Sequence, residues 1–162
     1  MARLPAGVVV LSTKEGPGFR GLTATSFTSL SLEPPLVLAC LDRQSLTRVA
    51  LREHGAFNAS VLGRDHAFLA ERFSGQAPAV DRTWREVKHR LGENGLPILE
   101  GALAWLECTV EDIHPGGDHE LDTLQIWLEG FGDRFDGLGD GLLEAVHRDL
   151  HGRHSACLRS NA

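Results

Sequence analysis

Thr23, Thr25, Ser29 and Ser31 fall on one parity between Gly21 and Leu32, with Phe27 interrupting the row. If that stretch is a strand, its period of two puts these hydroxyls on one face. Hydroxyls both donate and accept, so with free backbone N–H groups beside them they suit a phosphate or an acceptor-rich ring edge. The same row also suits a plain solvated strand face, since Thr and Ser are common there. A second group follows in Asp42-Arg43-Gln44-Ser45-Leu46-Thr47. Here a strand ends, a cation appears and a Ser-capped helix begins. Helix N-terminal N–H groups, a hydroxyl and a guanidinium together make a phosphate seat, and equally an ordinary N-cap with a surface arginine. The third is Gly117-Asp118-His119, behind a tight turn. A histidine there could donate a hydrogen bond or a positive charge to a substrate, or serve only as a turn residue.

Other patterns carry less. Gly16-Pro17-Gly18-Phe19-Arg20-Gly21 matches G-x-G-x-x-G, but a dinucleotide site needs a helix directly after the motif. Period-two sequence follows instead, so the segment reads as a hairpin loop. His147, His151 and His154 have metal-like spacing without a carboxylate or cysteine partner, and no metal site is expected. Cys40, Cys108 and Cys157 are odd in number and far apart, which suggests neither a disulfide framework nor a C-x-x-C site and fits a reducing cytoplasm. No G-x-S-x-G is present to support a serine hydrolase.

These residues must be positioned by the elements around them. Val8 to Leu11 reads as a buried strand ending in a turn over Lys14 to Gly18. Gly21 to Leu32 reads as one strand stopped by Pro34-Pro35, and Leu36 to Leu41 as another. A helix then places Leu46, Val49, Ala50 and His54 on one face, capped by Ser45 and ended by Gly55. Ala56 to Leu62 alternates as a strand, with Phe57, Ala59 and Val61 opposite Asn58 and Ser60. Asp65 to Phe73 reads as a short helix with Ala67, Phe68, Leu69 and Ala70 inward, and Gly75 to Asp81 as a loop. Ala102 to Ile113 alternates again, before a turn at Pro115 to Asp118. Many strands, few helices and short links predict a mainly β fold, a closed or nearly closed antiparallel barrel with short helices.

The 162 residues fit a single domain with a real core. A net charge of −6 with no basic stripe argues against a nucleic-acid binder. No apolar run approaches the roughly 20 residues of a membrane span, and no signal-peptide layout is visible at the start.

Taken in order, Pro5 to Val10, Gly21 to Phe27 and Ser29 to Leu38 resemble the flavin reductase-like family. Leu41 to Ser45, Phe57 to Leu62, Leu69 to Gly75 and Gly116 to His119 continue the likeness, which runs over roughly Leu4 to Glu120. The T-x-S-F-x-S-x-S-x-x-P-P string is its most specific part. The resemblance implies an FMN-binding split barrel, homodimeric, with flavin near the dimer interface. It implies that Thr23, Ala24, Thr25, Ser26 and Phe27, with Ser29, Leu30 and Ser31, line the isoalloxazine and ribityl chain. Arg43, Ser45 and Thr47 would meet the phosphate region, with Asp42 counted among the cofactor-binding residues. Phe73 and Ser74 would border the flavin or its adenine part, and His119 would act near the nicotinamide. The implied activity is transfer of hydride from NADH or NADPH to FMN or FAD, with reduced flavin supplied to a partner monooxygenase. The alternatives are a non-catalytic flavin-binding or electron-carrier protein on the same fold, and an inactive relative.

Residues 121–162 depart from the family pattern and are expected to form a divergent tail of the one domain, or the product of a shifted reading frame that lost the closing strand. The chain has no tyrosine, whereas the family usually closes with a Tyr/Arg-containing segment. Leu124 to Leu128 keeps strand character, and Leu142 to Leu150 reads as helical.

Overall fold

A computed structural model of the chain describes residues 6–75, 84–117 and 119–131. Nine strands and two helices follow one another: β1 (Val9–Glu15), β2 (Gly18–Ala24), β3 (Phe27–Leu32), β4 (Pro35–Asp42), α1 (Leu46–His54), β5 (Ala56–Val61), α2 (Ala67–Ser74), β6 (His89–Leu91), β7 (Pro97–Leu99), β8 (Ala104–Gly116) and β9 (His119–Phe131). A single 3-10 turn over Arg64–His66 leads into α2. Seven strands form an antiparallel sheet in the order β2-β1-β5-β8-β9-β4-β3, while β6 and β7 pair separately.

The sequence forces this sheet to curl. Its edge strands, β2 and β3, are neighbours in the chain, joined only through Thr25 and Ser26. Laid flat, the edges of seven strands would be roughly 29 Å apart. The chain from Ala24 to Phe27 spans at most about 11 Å. The sheet therefore bends round until its edges meet at this corner. Ser26 fixes the meeting point: its carbonyl accepts the Cys40 N–H at 3.1 Å, and its hydroxyl donates to the Cys40 carbonyl at 2.7 Å. The result is the mainly β split barrel expected, with short helices at its flanks.

The Gly16-Pro17-Gly18 segment is the turn of the β1–β2 hairpin, with Glu15 opposite Gly18. Gly16 has φ +54°, and the proline that follows cannot take a positive φ. Only a two-residue turn with its positive φ at the first position accepts that pair. No helix follows, which removes the dinucleotide reading of this motif.

The continuous strand expected over Gly21 to Leu32 is two strands. Thr and Ser keep the alternating pattern intact across Thr25-Ser26, where the chain leaves one edge of the sheet for the other, so the hydroxyl row is shared between opposite edges. The strand expected from Leu124 to Leu128 is part of β9, paired with β4 on one side and β8 on the other. The sheet thus has a strand at the closing position as far as Phe131. The helical reading of Leu142 to Leu150, the metal-spaced His147, His151 and His154, and Cys157 lie outside the described residues, as does most of the Gly75 to Asp81 loop.

Both faces of β1 are buried, which explains its unbroken apolar run. Val9 and Leu11 point into the barrel with Leu41, Leu51, Phe57 and Ala59. Val10 points outward, under Leu69, Phe73 and Trp84. The polar face of β5 is buried too. Asn58 Nδ2 donates to the Leu96 carbonyl at 2.9 Å, and Ser60 Oγ accepts the Leu99 N–H at 3.1 Å. The β6–β7 hairpin thus covers Asn58 and Ser60 and satisfies them.

Two helix faces differ from expectation. In α1 the buried residues are Thr47, Ala50 and Leu51, whereas Leu46 and Val49 are exposed, as is His54. The helix faces the barrel end with its Thr47 side because Thr47 Oγ1 bonds the Gly21 carbonyl at 3.3 Å. In α2 the buried residues are Leu69 and Phe73, while Ala67 and Phe68 are exposed and Ala70 is half-buried. The terminator of α1 is as expected: Gly55 takes φ +73° and its N–H returns to the Leu51 carbonyl at 2.8 Å.

Candidate active site at the barrel seam

The seam leaves a cleft of about 620 Å³, within the ordinary range for a small-molecule site. One wall is β2, the edge strand, from Arg20 to Ala24, continuing through Thr25 and Ser26. The facing wall is the end of β4, from Cys40 to Asp42, and the start of α1, from Gln44 to Thr47. Phe73, Ser74 and Gly75 at the end of α2 close one side, and His119 at the start of β9 closes another. An edge strand offers backbone N–H and C=O groups that no neighbouring strand uses. A ligand laid along β2 therefore meets edge backbone groups and hydroxyls together, the Gly21 carbonyl excepted, which accepts from Thr47 Oγ1.

Each part of the wall has a local cause. Gly21 lets α2 approach: a Cβ there would lie 2.5 Å from the Phe73 ring. Thr23 Oγ1 donates to the Ala70 carbonyl at 2.7 Å and holds α2 against β2. Its proton is thus committed to the fold, and only its lone pairs face outward. Asp42 shapes the turn before α1, with its Oδ1 accepting the Gln44 N–H at 2.8 Å and its carbonyl accepting the Ser45 N–H at 3.0 Å. The capping role expected of Ser45 is not found. Its side chain makes no cap hydrogen bond, because the Asp42 turn organises the helix start, and it faces the cleft instead.

His119 is half-buried and is the cross-strand partner of Asp42 on one side and of Gly116 on the other. Gly117, with φ +78°, makes the tight turn that delivers it. The β8–β9 hairpin thus carries the histidine to the same end of the barrel as the α1 N-terminus, although 76 positions separate it from Arg43.

Of the residues singled out in the sequence, Thr23, Ala24, Thr25, Ser26, Asp42, Ser45, Thr47, Phe73, Ser74 and His119 meet around this one cleft. Phe27, Ser29, Leu30 and Ser31 do not. They lie on β3, where Phe27 packs on the barrel core and Leu30 is exposed. Arg43 is not part of the cleft wall either, and its guanidinium Nη1 donates to the Gly117 carbonyl at 3.4 Å. Arg20, Leu22, Cys40 and Gln44 line the cleft without having been singled out. For Arg20 a signal existed: it stands two residues before Leu22 in the same alternation, beside the glycine that packs on Phe73.

The donor set fits an elongated ligand with a polar ring and an anionic group. Hydroxyls and edge-strand amides suit the ring and its polyol chain, and the α1 N-terminus with Ser45 and Thr47 suits the anion. Arg20 strengthens the fit. Its Nε is shielded from solvent and has no hydrogen-bond partner among the described residues. Among the described residues no group of three or more His, Cys, Asp or Glu side chains could hold a metal ion. No described helix is long and apolar enough to cross a membrane.

Similarity to known proteins agrees with this geometry. The chain is 36% identical over 138 residues to an NADH-dependent flavin reductase of a Rhodococcus species, covering 80% of this chain and 74% of that one. The solved structure of the NADH:FAD oxidoreductase SgcE6 of Streptomyces globisporus, in complex with NAD and FAD fragments, superposes with a TM-score of 0.73 at 33% identity, over 81% of this chain and 78% of that one. BorF, the flavin reductase component of a bacterial two-component tryptophan halogenase, superposes with a TM-score of 0.73 at 32% identity, over 80% of this chain and 81% of that one. The sequence profile of the flavin reductase like domain matches residues 1–127, from before β1 into β9, and so takes in every wall of the cleft: the chain belongs to the flavin reductase-like family.

Proposed function

We propose that this protein is an NAD(P)H:flavin oxidoreductase that reduces FMN or FAD and supplies the reduced flavin to a partner oxygenase. The observation that carries the reading is the cleft at the barrel seam, where the β2 edge, the α1 N-terminus and His119 converge in a chain of this family. The similar proteins named above, an NADH-dependent flavin reductase and a reductase component of a two-component halogenase, support both the reaction and the oxygenase partner.

A bound flavin supplies the redox chemistry itself, as the acceptor of hydride from the reduced nicotinamide. The chain's own residues bind and orient. The β2 edge with Thr23, Thr25 and Ser26 holds the ring system and polyol chain. Ser45, Thr47 and the first amides of α1 receive the phosphate. Phe73 and Ser74 border the far side of the ligand. His119 positions the nicotinamide by donating a hydrogen bond. The cleft walls exclude water from the facing rings, and orientation of this kind accounts for much of the barrier lowering in bimolecular transfers.

The working form is a homodimer in the cytoplasm. The β3 residues that do not line the cleft, Ser29, Leu30 and Ser31, would then meet flavin from a second copy across the interface. The test is direct. FMN and FAD are titrated against the protein by fluorescence, and NADH and NADPH oxidation is followed with each flavin present. Flavin binding with turnover is expected. Binding without turnover under either nicotinamide would favour an electron carrier on the same fold.

A further inference from the structure

We propose that Arg20, on the edge strand β2, is the cation that receives the flavin phosphate, in place of Arg43 beside the helix. The proposal rests on the flavin reading above and deepens it.

Two arginines are candidates by sequence. Arg43 directly precedes the α1 turn, the usual place for such a cation. Its side chain nevertheless leaves the cleft and reaches the β8–β9 turn at the Gly117 carbonyl. Arg20 is remote in sequence but lines the cleft. It is also next to the phosphate seat in space. Thr47, in the first turn of α1, bonds the carbonyl of Gly21, the residue that follows Arg20. One hydrogen bond therefore brings the helix start and the Arg20 backbone together.

The state of the Arg20 guanidinium supports the assignment. Nη2 pairs with Glu15 Oε1 at 2.7 Å across the β1–β2 hairpin, which fixes the side chain's direction. Nε, by contrast, is buried and has no acceptor among the described residues. Several side-chain nitrogens share this state among the described residues, and Arg20 is the residue among them that lines the cleft, where a ligand can supply the acceptor. A guanidinium presents several N–H groups in a planar fork matched to phosphate oxygens. With one arm held by Glu15, the rest of the fork remains for an anion. The ligand class is a phosphate monoester or diester at the end of the flavin's polyol chain.

Riboflavin, which lacks the phosphate, makes the test specific. Dissociation constants for FMN and riboflavin are measured on the wild type, Arg20→Met, Arg43→Met and Glu15→Gln. The wild type is expected to prefer FMN. Arg20→Met should weaken FMN by about tenfold or more, the scale of a charge-assisted hydrogen bond, while riboflavin binding stays unchanged. Glu15→Gln should keep the preference for FMN. The proposal is overturned if Arg20→Met retains that preference, if it weakens both ligands alike, or if Arg43→Met is the variant that abolishes it. Loss of the preference in Glu15→Gln would also overturn it, by showing that the hairpin ion pair acts rather than the cation. A wild type indifferent to the phosphate would instead remove the phosphate seat itself.

Discussion

Thr47 donates its hydroxyl to the Gly21 carbonyl at 3.3 Å, and this one bond ties the first turn of α1 to the free edge of β2. Thr47 is buried, so the bond is sheltered from water. Both walls of the cleft are thereby held at one spacing. Thr47→Val keeps the shape and removes the donor. A loss of about 1 kcal/mol of stability is expected, with weaker flavin binding as the walls loosen. Urea unfolding and flavin titration on the same variant check both parts. Wild-type stability would show that the bond contributes nothing.

Gly21 is the second constraint on that spacing. A Cβ at this position would lie 2.5 Å from one Phe73 ring carbon and 2.7 Å from another. Phe73 is almost fully buried against Trp84, with ring centroids 5.0 Å apart, and has little room to retreat. Gly21→Ala should cost about 1–3 kcal/mol, as overpacking does, and displace α2 from the cleft. Combining it with Phe73→Leu should recover part of the loss. Additive damage in the double variant would show that the two residues do not press on one another.

How much of this was legible in the sequence depended on whether the cause was local. The β1–β2 hairpin and the end of α1 were readable because Gly16-Pro17 and Gly55 fix backbone angles by themselves. The split between β2 and β3 was not, because Thr25 favours strand and neither it nor Ser26 breaks the alternation. What bends the chain there is the bond from Ser26 to Cys40, a partner 14 positions away. The inward face of α1 was misread for the same reason. Apolar periodicity favoured Leu46 and Val49, but the contact of Thr47 with a carbonyl on another element set the rotation. The cleft residues near the helix start and His119 were found, since turn and cap chemistry marks them. The alternation that Arg20 shares with Leu22 places it on a strand face, but only the docking of α1 beside β2, through Thr47 and Gly21, makes that face part of a cleft wall.

Glu107 separates stability from binding. It is fully buried on β8 and accepts the backbone N–H groups of Glu93 at 3.2 Å and Asn94 at 3.0 Å. Gly92 makes room for it, since a Cβ there would lie 2.6 Å from the carboxylate. Glu107→Ala would strand two donors of the loop that carries β6 and β7. A loss of about 2–4 kcal/mol is expected. Glu107 is not part of the cleft wall, so flavin affinity measured well below the melting temperature should be unchanged. A variant that melts as the wild type does would mean that the carboxylate is not what anchors this loop.

Ser45 gives the opposite separation. A serine at a helix N-cap normally contributes about 1 kcal/mol through its side-chain oxygen. Here that bond is absent, and Asp42 organises the turn by accepting the Gln44 N–H. Ser45→Ala should therefore leave the melting temperature nearly unchanged. Its hydroxyl faces the cleft beside Thr47, at the end of α1 where amides point outward, and a hydrogen bond to a charged phosphate is worth roughly 1.5–3 kcal/mol. FMN affinity should fall by about tenfold or more, with riboflavin affinity unaffected. Asp42→Ala should do the reverse in stability, lowering it by about 1 kcal/mol through loss of the turn bond. Thermal melts and paired FMN and riboflavin titrations on the two variants decide the matter. If Ser45→Ala melts early and binds FMN normally, the serine is an ordinary cap and the phosphate contact belongs elsewhere.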